Sequence, residues 1–354
     1  MEKAANQDAV ITSFDEVRAL FKDLPGADEE ARALARSREA TLTKPAGALG
    51  RLEHLVEWLC AWQGRHPPGL DHPRVVVFAG NHGVVAQGVS AYPPEVTAQM
   101  VQNFITGGAA VNQLCKAMDA DLRVYELNLE TPTVDFTTAP AMAEAETVNA
   151  IAYGMMAVEP GLDVLCLGEM GIGNTTAAAA LCLALFGGTA ADWAGPGTGV
   201  QGGQLDHKRA VIGEAHARHR DALGDALGGV GGDPFQALRC LGGREFAAII
   251  GAVLAARLAR TPVLLDGYAA TAAAAVLYAI EPGLLDHCQV AHRSAEPGHA
   301  RLLDAIAKAP ILDLEMRLGE ATGAVLALSV LKGAVACHTG MASFTDAGVS
   351  TKLD

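Results

Sequence analysis

Short apolar, β-rich runs alternate with helical stretches through the middle of this chain, and three of them run straight into glycine-bearing turns. The runs cover 75–79, 122–127, 164–167, 263–265 and 289–292; the turns are FAGNHG, CLGEMGIG and LLDGYA. Strand, glycine turn, helix is the signature of a βαβ unit, since parallel strands need a crossover that a helix supplies. The pattern predicts an α/β fold on a parallel sheet, with binding sites at the C-terminal ends of the strands.

Both ends of the chain read differently. Residues 14–66 are helical by pattern, with Leu52, Leu55, Val56 and Leu59 on one face and a turn-rich break, TKPAGALGRLE, at 43–53. The tail, 311–347, is again mostly helical, interrupted by LGEATGA at 318–324. Flanking the βα core, the two ends are expected to pack together. This predicts a smaller helical domain from 1–69 plus 311–354 beside a large α/β domain at 70–310. The Gly-rich stretch 224–232 is the one candidate for a mobile loop.

Composition narrows the class. Half of the 354 residues are hydrophobic and only 5% aromatic, which suits close helix-on-sheet packing better than a β-sandwich. A net charge of −14 argues against a nucleic-acid partner, which needs a basic surface. Seven cysteines without a C-x-x-C pair read as reduced thiols. The acidic start lacks the apolar stretch of a signal peptide, and the alanine-rich runs are broken before membrane-spanning length. A cytoplasmic protein with no membrane partner is expected.

The strongest local motif is GEMGIGNTTAAAA at 168–180, which leaves a strand and opens a helix. Backbone N–H groups at such a helix start make an anion site, and Asn174 and Thr175 add side-chain donors or a cap. Spacing alone fits an ordinary capped turn equally well. In GPGTGVQGGQLDHK, Lys208 offers a point charge for a phosphate, although a solvated lysine is the commoner case. Glu320, between two glycines in an apolar setting, is a candidate proton acceptor because burial raises a carboxylate's pKa; spacing alone favours a helix-capping role. Glu169 is comparable. His216 and His219 share a helical face but read as a surface pair, and no metal or Ser–His–Asp motif appears. LLDGYAATAA lacks the paired acids of a diphosphate-sugar loop, since Asp266 is followed by glycine.

Together, KPAGALGRLE, FAGNHGVVAQGVSAYPPEVT, GEMGIGNTTAAAA, the DHK of Lys208, PVLLDGYAATAAA, HRSAEPGHARLL and MRLGEATGAVLAL resemble the nicotinate-nucleotide:dimethylbenzimidazole phosphoribosyltransferase family, in its order, from about residue 40 to 340. The resemblance implies a doubly wound, Rossmann-like sheet with helices on both faces, and a homodimer. It implies Glu320 as general base, with Glu169 and Lys208 as polar groups of the substrate site. Gly171, Gly173, Asn174, Thr175, Gly197 and Ser294 resemble the phosphate and ribose cradle, and Val89, Tyr92, Met100 and Leu318 the base pocket. The chain departs from the family pattern at Asn81, where aspartate is usual, and at Ala46 and Ala48, where Pro and Ser are common.

The chemistry implied needs few ionisable groups. The pyridinium nitrogen of nicotinate mononucleotide leaves neutral, while an attacking benzimidazole becomes cationic and must shed a proton. One carboxylate suffices, no diphosphate departs, and neither a metal nor a cofactor is expected. The rival expectations are a same-fold enzyme using adenine or a phenol, a non-catalytic nucleotide-binding relative, and a dinucleotide oxidoreductase. The last ranks lowest, because no full G-x-G-x-x-G with a downstream acid is present.

Overall fold

The computed structural model describes residues 11–224 and 232–350, so most of the stretch 224–232 lies outside it. Six parallel strands form one sheet in the order β2-β1-β3-β4-β5-β6. They are β1 (Pro73–Ala79), β2 (Asp121–Glu126), β3 (Val164–Met170), β4 (Val263–Leu265), β5 (Cys288–His292) and β6 (Pro310–Leu312). The first five match the runs read from the sequence. The sixth replaces what the pattern gave as the start of a helical tail. It is a three-residue edge strand, only half buried, and it opens on a proline, a residue that does not mark a strand interior.

Alternate side chains of the central strands feed two cores, because successive residues of a strand point to opposite faces. Val76, Phe78, Leu165, Leu167 and Leu265 pack with the helices Glu144–Met155, Asn174–Phe186, Arg244–Leu258 and Tyr268–Ile280. Val75, Val77, Val164, Cys166 and Leu264 pack with Arg51–Gln63, Glu95–Thr106, Ala110–Met118 and Thr322–Gly340. β1 and β3 are buried along their whole length, as expected of strands covered on both sides. The crossover from β1 to β2 lies on the second face, and those from β3 onward lie on the first. The sheet is therefore doubly wound, and its switch point falls between the C-terminal ends of β1 and β3.

The two ends of the chain meet. Leu42 bridges Ser343, and the Arg38 guanidinium donates to the carbonyls of His338 and Met341. Ala31, Ala35, Val56, Cys60 and Ala334 form a small core of their own. The helix Thr322–Gly340 is long and apolar enough, by length and composition, to cross a membrane, which corrects the reading that every alanine-rich run is broken too early. It is a core helix: Ala324, Val325, Leu328 and Leu331 pack into the second face of the sheet.

Candidate active site

At the switch point, β3 ends on Glu169 and Met170, and the turn at 171–173 opens the helix Asn174–Phe186. No side chain caps that helix; the Asn174 and Thr176 N–H groups donate to the Gly171 and Gly173 carbonyls, which leaves the Thr175 N–H and the positive end of the dipole to face an anion. The Asn174 amide donates to the Glu169 carboxylate. Beside it, Thr175 Oγ1 accepts from Lys208 Nζ at 2.9 Å, and the same ammonium donates to the Gly195 carbonyl at 3.1 Å. Lys208 is 1% exposed. Burial lowers its pKa to about 8, although Glu296 pulls the other way.

Glu296 is the counter-charge. Its Oε1 accepts the Gly197 N–H at 2.9 Å, and burial raises its pKa. Ser294 Oγ accepts the Glu296 N–H at 3.2 Å. Arg317 closes this side by donating to the Gly197 carbonyl at 2.8 Å. The second glycine loop, the HRSAEPGH segment and the approach to Glu320 are thereby tied together.

Glu320 reaches the site through an uncommon backbone. Gly319, Glu320 and Ala321 have φ of 79°, 60° and 62°, a left-handed run that non-glycine residues rarely adopt. Such geometry persists only where the surroundings enforce it, and it collects at functional sites. Here the Glu320 N–H donates to the Glu169 carbonyl at 3.2 Å. A Cβ on Gly168 would run into Ala321, so a glycine in β3 is what lets the run lie against the strand.

The resulting cluster of acids is buried and short of positive charge. Burial, with Asp266 adding to it, pushes the Glu320 carboxyl up to about 7. Burial raises Glu169 well above the usual range, and Asp266, Glu245 and Glu320 reinforce it. The partners are two histidines: His82 Nε2 lies 2.6 Å from Glu245 Oε1, and His292 Nδ1 lies 3.3 Å from Asp266 Oδ1.

The structure thus brings Glu320, Glu169, Asn174, Thr175, Lys208, Gly197 and Ser294 together, with Gly171 and Gly173 in the turn between. The four residues expected at the base pocket are less uniform. Val89 is packed in the core at 2% exposure, Met100 is half buried, and Tyr92 and Leu318 are 54% and 56% exposed. Asn81 donates to the Leu129 carbonyl at 2.8 Å, while its buried Oδ1 has no partner. His219 is not a surface residue: it is buried, with Nε2 2.7 Å from the Phe136 carbonyl. Glu296, Arg317 and the pairs His82–Glu245 and Asp266–His292 escaped the sequence reading, because each owes its place to a partner distant in the chain. A hollow of about 290 Å³ adjoins Ser294 and Glu296, lined also by Arg293, Asp313 and Glu315. A larger one of about 650 Å³ lies at the opposite edge of the sheet, around Arg74, Asp121 and Glu159, so volume does not locate the chemistry.

A doubly wound sheet whose switch point joins an uncapped helix start, a buried lysine and a carboxyl that burial raises to about 7 marks an α/β enzyme with the groups to seat an anion beside a proton acceptor. The family described as Phosphoribosyltransferase matches residues 24–349. The nicotinate-nucleotide--dimethylbenzimidazole phosphoribosyltransferase of Sinorhizobium medicae is 54% identical over 96% of this chain and 98% of its own. That of Brucella canis is 55% identical over 95% and 97%. A crystal structure of the enzyme of that name from Thermus thermophilus superposes with a TM-score of 0.82 at 40% identity, covering 92% of this chain and 100% of that one. The chain belongs to the nicotinate-nucleotide–dimethylbenzimidazole phosphoribosyltransferase family.

Proposed function

We propose that the chain transfers the 5-phosphoribosyl group of nicotinate mononucleotide to 5,6-dimethylbenzimidazole, giving α-ribazole 5′-phosphate and nicotinate, in assembly of the cobalamin nucleotide loop. The observation that carries the catalytic assignment is the Glu320 carboxyl, buried beside a glycine-lined helix start and basic near pH 7. The 5′-phosphate sits at the amides of Gly171, Gly173 and Thr175, with the Gly197 loop, Lys208 and Ser294 beside it. That seat fixes the sugar and holds C1′ in line between the leaving pyridine and the incoming base, so that reaction within the complex replaces a chance encounter.

The C1′–N bond to nicotinate breaks with its electron pair returning to the pyridinium nitrogen, which leaves neutral. A lone pair on the benzimidazole nitrogen forms the new bond. Glu320 then takes the proton from the other ring nitrogen, and Glu169, hydrogen-bonded to Asn174, holds the turn and the sugar. Val89, Tyr92, Met100 and Leu318 belong to the base side. The chain ends, 1–69 and 311–354, form a smaller helical domain beside the α/β domain at 70–310, and the enzyme works as a homodimer in the cytoplasm. Seven unpaired cysteines are in keeping with a reducing compartment.

Mass analysis of products from nicotinate mononucleotide offered with benzimidazoles, purines and phenols tests the reaction. The expected result is free nicotinate together with α-ribazole 5′-phosphate, fastest with 5,6-dimethylbenzimidazole. Nicotinate released with no transfer product, or adenine or a phenol preferred, contradicts it. Nicotinate riboside serving as well as the nucleotide contradicts the phosphate seat.

A further inference from the structure

Asp266 follows directly on β4 in the LLDGYA segment, fully buried, and the proposed reaction gives it no task. Its contacts point to one. Its N–H donates to the Leu167 carbonyl of β3 at 3.0 Å, and its own carbonyl accepts the His292 N–H from β5 at 3.2 Å, so its backbone is pinned on both sides. Its Oδ1 accepts the Ala324 N–H at 3.0 Å and stands 3.3 Å from His292 Nδ1. Ala324 is the third residue of the helix Thr322–Gly340, whose cap residue, Ala321, has no side chain able to cap. Asp266 does from a neighbouring strand what an N-cap side chain does within a helix: it satisfies a first-turn N–H and sets a negative charge at the positive end of the dipole. The fit is close, since a Cβ on Gly323 would run into His292 Nδ1.

That helix start follows directly on the left-handed run at 319–321. Any freedom in the first turn would pass to Glu320, and a base misplaced by an ångström loses much of its effect. We propose that Asp266, held by His292, is the positioning residue of the Glu320 base: it anchors the helix start that fixes the 319–321 run against β3, and it presents a second negative charge to the Glu320 carboxyl. This rests on the reading of Glu320 as the base.

The charged groups around Glu320 come from several elements. Asp266, just after β4, and Glu169 on β3 are both buried carboxyls; His292 on β5 is paired to Asp266, and Glu245, which pairs with His82, acts on Glu169. Arg317, on the loop before Glu320, is engaged with Gly197. Burial works against the His292 imidazolium, but its bond to Asp266 outweighs this and raises its pKa. Burial and the Asp266 charge act in the same direction on Glu320, favouring its protonated form.

The test is kcat against pH, at saturating substrates, for wild type, Asp266→Asn, Asp266→Ala and Glu320→Gln. Titration of the acceptor itself is common to all and drops out of the comparison. Asparagine keeps an oxygen for the Ala324 N–H but removes the charge. Its acid limb is expected to move down by about one pH unit, with a plateau several-fold lower because the base is weaker, and little change in KM for nicotinate mononucleotide. Alanine removes the anchor as well and is expected to cost about 10²-fold in kcat; if it fails to fold, the asparagine variant decides alone. A residue that only supported the fold would lower kcat at every pH alike. An unmoved acid limb in Asp266→Asn therefore overturns the proposal whatever the plateau. If Glu320→Gln turns over like wild type, the base reading itself fails; if it is inactive while Asp266→Asn keeps the wild-type limb, only the Asp266 assignment falls.

Discussion

At the N-terminal edge of the sheet, Asp121 and Glu159 meet the Arg74 guanidinium at 3.1 and 3.0 Å, and Asp163 pairs with Arg65 while accepting two backbone N–H groups at 2.8 Å. At the C-terminal edge, Glu169, Glu245, Asp266 and Glu320 share two histidines and, among the described residues, no arginine or lysine ion pair. One edge cancels its charge, whereas the other keeps buried carboxyls in want of it. Carboxylates paired with arginine have their charge answered where they sit, and where such a pair is exposed it brings only modest stabilisation. Burial raises the Glu320 carboxyl to about 7 and Glu169 well above the usual range, which is what the proposed proton transfer requires. The contrast separates an edge that closes the fold from an edge that works.

Substitutions at the two edges should differ accordingly. The largest effect is expected at the C-terminal edge: Glu320→Gln folds, as judged by its melting curve, and loses ~10²–10⁴-fold in turnover, the range a positioned general base contributes. Near-wild-type rates would erase the distinction. The smallest is expected at the N-terminal edge. Asp121 is half exposed, and Arg74 keeps Glu159 when it is changed, so Asp121→Asn should cost under about 1 kcal/mol in denaturant unfolding and leave kcat unchanged. A fall in kcat there would mean that the edges are coupled.

How much of this was legible beforehand depended on whether the signal was local. Three strands declared themselves because they are buried apolar runs that enter a glycine turn, and β2 and β5 as β-rich runs between helical stretches; β6, half buried and opening on a proline, did not. Glu169, Lys208 and Glu320 stood out for their glycine-rich surroundings. His82 and Glu245 are 163 residues apart, and nothing near either announces the other. Asp266 was visible only as an incomplete version of a different motif. Its role depends on the helix start at Ala324, brought beside it by the sheet order.

The most direct test of the central claim is a ¹³C NMR titration of the glutamate carboxyls, with Glu320→Gln to assign the signal. A carboxyl that titrates at about 7 and whose signal disappears in the variant is the expected result. A Glu320 signal that titrates in the ordinary carboxylate range, around 4.5, would contradict it.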